Sequence, residues 1–110
     1  MNTYFTEYQR KLTDPKGASD KIQNGSTIVH GLSIAEPPAL LTAIADRARA
    51  GRLRDIKIYS LLPLSHAAKT VLVPDLSDCI QAYSWFVTAA DRDRVKVGLD
   101  YFVPNYFHQI

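Results

Sequence analysis

Apolar and polar positions change their spacing several times along the chain, and each change predicts an element. The most informative passage is STIVHGLSIAEPPALLTAIADRARAGRL, Ser26 to Leu53. Ser26 to Val29 is a short β-branched run behind the turn pair Asn24-Gly25, which predicts a buried strand. Gly31 breaks the run. Pro37 and Pro38 then open a helix, because proline's missing N–H costs nothing in a first helical turn. Pro37 also holds Glu36 out of the α region, so the chain enters the helix extended. Leu41, Ile44, Ala45 and Ala48 fall on one face at helical spacing, with Asp46, Arg47 and Arg49 away from it. Gly51 is the natural stop. Strand, tight loop and helix make the first half of a βαβ unit.

The same reading extends to the rest of the chain. Tyr4 to Leu12 can form a short helix. A second helix starts at Pro15 with Asp14 as its cap, is weakened by Gly17, and ends by Gly25. Asp55 to Ser60 reads as a strand, with Ile56 and Ile58 on one face and Lys57 and Tyr59 on the other. Ser65 to Asp78 mixes signals and predicts irregular structure with some helix. Gln81 to Val87 is aromatic and β-branched, hence a strand. Thr88 caps a helix with Asp91 in capping-box position, and Val95 and Leu99 share its inner face. Tyr101 to Val103 is a last strand, ended by Pro104. Strands alternating with helices predict an α/β fold: an open, mostly parallel sheet with flanking helices. Ligands of such sheets sit at the carboxyl ends of the strands. The loop His30 to Glu36 is therefore the first candidate site, and the segment after Tyr59 the second.

Composition narrows the classes. The 110 residues are 46% hydrophobic and 22% charged, enough for one domain with a core. A net charge of +2 with mixed signs implies neither a nucleic-acid nor a membrane partner. Arg47, Arg49, Arg52 and Arg54 cluster, but Asp46 and Asp55 flank them, which favours a solvated helix end over a phosphate site. The single cysteine, Cys79, allows no internal disulfide and suits a reducing cytoplasm. Met1 to Lys11 lacks the apolar core of a signal peptide, and no run reaches the roughly 20 apolar residues of a membrane span. His30, His66, His108 and Cys79 lack the paired spacing of a metal site. A loop with one glycine is too poor for a dinucleotide fingerprint.

Gly31-Leu32-Ser33-Ile34-Ala35 is a near match to the nucleophile elbow of α/β-hydrolases, with Asp75 or Asp78 and then His108 in the right chain order. Three features count against it. The final glycine is alanine. The elbow would follow the first strand, with no earlier strand to supply an oxyanion-hole loop. Pro37-Pro38 begin the helix several residues late.

The Asn-Gly turn, the strand, the Gly-containing loop ending in Glu-Pro and the "ALL" that opens the helix resemble the start of the class I coenzyme A transferases. They are similar in particular to the acetyl-CoA hydrolase/transferase branch, which includes 4-hydroxybutyrate, butyrate and itaconate CoA-transferases. The likeness continues through IKIYSLLPLS (Ile56 to Ser65), SWFV (Ser84 to Val87) and DYFVPNYFHQI (Asp100 to Ile110), and so covers the chain from about Asp14 onward. It rests on the ordered series rather than on one motif. Family loops often carry more glycines than the single Gly31 found here.

The resemblance implies an incomplete N-terminal domain of a two-domain CoA-transferase, with residues 1–110 a piece of a longer chain. The implied reaction moves coenzyme A from an acyl-CoA to a carboxylic acid by ping-pong catalysis through a glutamyl-CoA thioester. The family's catalytic glutamate would lie beyond Ile110, leaving no catalytic residue in this segment. Glu36 is tempting as a nucleophile at a helix N-terminus, but it matches the Glu-Pro closing the loop and reads better as an acceptor of backbone N–H groups. The implied substrate-binding residues are Gly31, Leu32, Ser33, Ile34, Ala35 and Glu36, followed by Ser60, Leu61 and Leu62. No tightly bound cofactor is expected; coenzyme A and acyl-CoA are substrates. Expected partners are the rest of the same polypeptide, a small carboxylic acid and further copies of the full enzyme, in the cytoplasm. The aromatics Trp85, Phe86, Tyr101, Phe102 and Phe107 would be core or interface with that remainder. The alternatives are a thioester hydrolase of the same family, the serine hydrolase above, and a non-catalytic α/β interaction module.

Overall fold

The computed structural model describes residues 3–110. Two helices, α1 (Thr3–Lys11) and α2 (Pro15–Ser19), precede four strands: β1 (Thr27–Val29), β2 (Ile56–Leu61), β3 (Ile80–Phe86) and β4 (Asp100–Phe102). The strands are all parallel and lie in sequence order, β1-β2-β3-β4. The connections carry α3 (Pro38–Arg49), then α4 (Ser65–Lys69) with a 3₁₀ turn at Pro74–Leu76, then α5 (Arg92–Lys96). Right-handed crossovers that never reverse direction place every connecting helix on one face of the sheet.

The core lies on that face. Leu41, Ile44, Ala45 and Ala48 of α3 are buried against Ile56, Ile58, Ile80 and Ala82 of the sheet, with Leu53, Leu72 and Leu76 closing the layer. The α3 stripe is the one its 3.6-residue spacing predicts, and Gly51 (φ 70°) ends the helix in the left-handed conformation that glycine tolerates. Asp14 caps α2 by accepting from the Gly17 N–H at 2.7 Å. The β strands fall within a residue or so of their predicted bounds, but β1, expected to be buried, is an edge strand with Ile28 half-buried and Thr27 and Val29 exposed.

The opposite face of the sheet is bare and aromatic. Tyr59 and Tyr83 stack at 4.7 Å between ring centroids, Tyr83 and Tyr101 at 5.4 Å, and Trp85 leans on Tyr59 at 5.3 Å. The aromatics Trp85, Phe86, Tyr101, Phe102 and Phe107 therefore contribute no buried side chain to this core, which is aliphatic.

Two further expectations are corrected and one holds. The buried residue of α5 is Arg94; Val95 and Leu99 are only half-buried. Ser65–Asp78 is irregular with some helix, as expected: one short helix and a 3₁₀ turn joined by turns. Arg47 does not belong to a solvated cluster: its guanidinium donates to the carbonyls of Ser19 and Ile22 and pairs with Asp20 at 3.5 Å, tying α2 to α3. No described helix is long and apolar enough to cross a membrane.

Candidate functional site

At the carboxyl edge of the sheet the β1–α3 loop and the β2–α4 loop meet, and Glu36 joins them. Pro37 keeps Glu36 extended (φ −60°, ψ 128°), which turns its side chain back toward the second loop. One carboxylate oxygen accepts from the Leu64 N–H at 2.8 Å and the other from the Ala67 N–H at 2.7 Å. Leu64 is the N-cap of α4, and a leucine side chain cannot satisfy the helix's first N–H groups. Glu36 does so from 28 residues away in sequence. Its burial, at 6% exposed, gives each of these bonds added weight.

Two non-glycine residues in the left-handed region flank this joint: Ser33 (φ 49°) in a 3₁₀ turn, Ser33–Ala35, and Leu62 (φ 52°) just after β2. Such backbone costs on the order of 1 kcal/mol per residue and persists where its surroundings impose it. Gly31 is required for close approach. A Cβ there would stand 2.2 Å from the Ala35 carbonyl oxygen, so any side chain would push the 3₁₀ turn outward.

Between the loops lies a groove of about 410 Å³, lined by Ser33, Leu62–Ser65 and Thr88–Ala90. Its walls are mostly aliphatic, with hydroxyl groups from Ser33, Ser65 and Thr88. The third wall, Thr88–Ala90, comes from the end of β3 and is not among the residues singled out from sequence. The signal for it was its position, since β3 ends at the same edge as β1 and β2.

The nine candidate residues are distributed unevenly around this groove. Ser33 and Leu62 line it, and Glu36 braces it from behind. Ile34 is 95% exposed and Ser60 only 1%, facing the helical layer, so neither stands on the groove wall. Gly31, Leu32, Ala35 and Leu61 shape the two loops without lining the groove. The Ser60 Oγ and His30 Nε2 are buried without a hydrogen-bond partner among the described residues.

The hydrolase constellation does not assemble. Asp75 and Asp78 precede β3, at the amino edge of the sheet, whereas Ser33 follows β1 at the carboxyl edge. His108 follows β4, three strands from β1, and stacks on Tyr106 at 5.7 Å.

Beneath the groove sits a polar cluster. The Ser84 Oγ lies 2.5 Å from the Asp91 Oδ2 and 3.1 Å from both carboxyl oxygens of Asp100. The Asp91 Oδ1 accepts from the Thr88 N–H at 2.6 Å and from the Thr88 hydroxyl at 3.2 Å. Thr88 accepts in return from the Ala90 N–H at 3.2 Å, and regular helix begins only at Arg92. Arg94 donates to the carbonyls of Leu72 and Leu99. Burial lifts Asp100 to a pKa of about 6, helped by the Asp91 charge and opposed by the Ser84 hydrogen bond and Arg94. Burial also pulls Arg94 below its ordinary value, against the attraction of Asp100 and Asp91. Among the described residues no three His, Cys, Asp or Glu gather as metal ligands.

The sequence and the fold have known counterparts. The chain matches the acetyl-CoA hydrolase/transferase N-terminal domain over residues 1–110, and it belongs to that family. It is 29% identical over 108 residues to a succinyl-CoA:cyclohexane-1-carboxylate CoA transferase of Geobacter metallireducens, covering 98% of this chain and 24% of that protein. Its fold superimposes on RipA from Yersinia pestis with a TM-score of 0.91 and 37% identity, covering 98% of this chain and 27% of RipA. A point-mutant form of RipA gives a TM-score of 0.92 at 37% identity, over 98% of this chain and 26% of that one. The chain thus spans about a quarter of the length of these relatives.

Proposed function

We propose that this segment builds part of the acyl-side wall of a CoA-transferase. In the full-length protein, coenzyme A passes from an acyl-CoA to a carboxylic acid through a glutamyl-CoA thioester, formed on a glutamate carried by the remainder of the polypeptide. Ser33, Leu62 and the Thr88–Ala90 segment face the acyl group, Gly31, Leu32 and Ala35 shape the first loop, and Glu36 holds both loops in place. Coenzyme A is a substrate, and no tightly bound cofactor is involved.

One observation carries this reading: three loops from successive parallel strands converge at the carboxyl edge around an aliphatic groove, in a chain that belongs to a CoA hydrolase/transferase family. An aliphatic wall with a few hydroxyl groups suits a thioester's acyl chain better than a charged group. Transfer is favoured over hydrolysis by the curated relative, a CoA transferase. The bare aromatic face of the sheet, with Tyr59, Tyr83 and Tyr101 in a row, is where the rest of the polypeptide packs.

Substituting Ala89, an exposed residue on the groove wall, tests the reading without disturbing the core. Ala89→Trp in the full-length protein is expected to raise the KM for acyl-CoA and leave the melting temperature unchanged. Unaltered kinetics across a series of acyl chain lengths would place the acyl group elsewhere.

A further inference from the structure

Asp100, Ser84 and Asp91 are all buried, at 3%, 0% and 0% exposure. Two carboxyl groups approach one hydroxyl, and a hydroxyl has one proton to donate. The shorter contact, 2.5 Å to the Asp91 Oδ2, takes that proton. Asp100, with both oxygens at 3.1 Å from the same Oγ, is left facing lone pairs. That arrangement is repulsive unless Asp100 carries a proton of its own. Among the described residues no cation hydrogen-bonds to it: Arg94 from α5 donates through its terminal nitrogens to the carbonyls of Leu72 and Leu99, its buried Nε has no hydrogen-bond partner, and it acts on Asp100 only through its charge. The other groups acting on Asp100 are Asp91, which repels, Ser84, and the Tyr101 backbone N–H.

We propose that Asp100 is a proton-holding positioning residue: as a neutral carboxylic acid it donates to the Ser84 Oγ, Ser84 donates to Asp91, and the ionised Asp91 fastens Thr88 at the head of the groove's third wall. The last link is the 2.6 Å bond from the Thr88 N–H to the Asp91 Oδ1. Asp91 thus faces two ways, toward the buried relay and toward the wall. Its importance for substrate rests on the acyl-wall reading above; the proton arrangement does not.

The consequence is a sign of pH dependence opposite to that of most carboxylates. The folded chain binds the Asp100 proton more tightly than the unfolded chain does. The stability this contributes is complete below the ordinary aspartate value, about 4. It is lost as pH rises through about 6, where the folded carboxyl ionises. Two negative charges then share one hydroxyl, and the Thr88 wall loosens.

Asp100→Asn keeps the shape, carries no titratable proton, and can still donate from its amide to the Ser84 Oγ. In the full-length protein, the melting temperature of wild type minus that of Asp100→Asn is expected to fall by several degrees between pH 4 and pH 7 and then level off. A flat difference across that range overturns the proposal. Amide hydrogen exchange tests the positioning. Ser84→Ala is expected to speed exchange at Thr88–Ala90 on the order of tenfold, the effect of losing a buried hydrogen bond, while Asp100→Asn at pH 5 matches wild type. Unchanged exchange in Ser84→Ala, with the protein folded, also overturns it. Neither readout uses a substrate, so failure of the acyl-wall reading leaves both results intact.

Discussion

The Glu36 carboxylate accepts from the Ala67 backbone N–H at 2.7 Å across 31 residues of sequence, and with it the first two loops of the carboxyl edge become one unit. Neither loop is held this way by its own residues, since the N-cap of α4 is Leu64, whose side chain cannot cap it. Replacing Glu36 by Gln leaves a side chain of the same length with one acceptor oxygen for two N–H groups. The cost is about 2 kcal/mol, a buried donor left unpaired. A lower melting temperature with partial loss of kcat/KM is the expected result. An unchanged melting temperature with complete loss of acyl transfer would instead identify Glu36 as the nucleophile.

Gly31 and Gly98 make a controlled pair. At Gly31 the obstacle is backbone, the Ala35 carbonyl at 2.2 Å from a built Cβ, and it can yield only by moving the loop. At Gly98 (φ 77°) a Cβ meets nothing within 4 Å, so the cost is conformational alone. Gly98→Ala should cost about 1 kcal/mol and leave kinetics alone. Gly31→Ala should cost about 1–3 kcal/mol, the range for forcing atoms into a filled space, and should also raise the KM for acyl-CoA. Thermal melting and steady-state kinetics on both variants separate the two effects.

What the sequence made legible was whatever depends on local spacing. The α3 stripe, the Asp14 cap, the parallel α/β alternation and the carboxyl-edge location of the first loop all follow from residues close together in the chain. Contacts made across many residues were invisible. Nothing near Glu36 names Ala67 as its partner, nothing near Arg47 names the Ser19 carbonyl, and Ser84 gave no hint of two carboxylates. The aromatics stayed open between core and interface for a related reason: hydrophobicity reports that a residue needs cover, not which face provides it. Ser60 and Ile34 both adjoin the loops, but strand alternation turns Ser60 toward the helical layer and the 3₁₀ turn leaves Ile34 out in solvent.

Ser33 discriminates the hydrolase from the transferase. Its φ of 49° is the backbone form a nucleophile elbow also has, but Asp75 and Asp78 lie at the opposite edge of the sheet. Ser33→Ala should retain most acyl transfer, and a fluorophosphonate probe should leave Ser33 unlabelled. Ser33→Asn should be tolerated and Ser33→Val destabilising, because asparagine accepts the left-handed region and a β-branched residue does not. Stoichiometric labelling of Ser33, abolished together with thioester cleavage in Ser33→Ala, would revive the elbow.

The last prediction concerns residues 1–110 produced alone. On the bare side of the sheet, Tyr101 is 49% exposed, and the edge and terminal residues Phe86, Phe102 and Phe107 are 57%, 51% and 77% exposed. Aromatic rings stacked in a row across parallel strands are an apolar surface of the kind that marks a contact. The short strand β4 adds an unpaired sheet edge, which invites strand addition from another chain. Cut from its remainder, the segment should self-associate or aggregate, and it should exchange no acyl groups between acyl-CoA and acetate. Co-expression with the remainder should restore a soluble complex whose contact buries more than about 1,000 Å², the lower bound of a specific interface. Sizing chromatography with mass determination of the peak is the decisive measurement. A monodisperse 12.3 kDa monomer would show that the aromatic face needs no cover and that the remainder packs elsewhere.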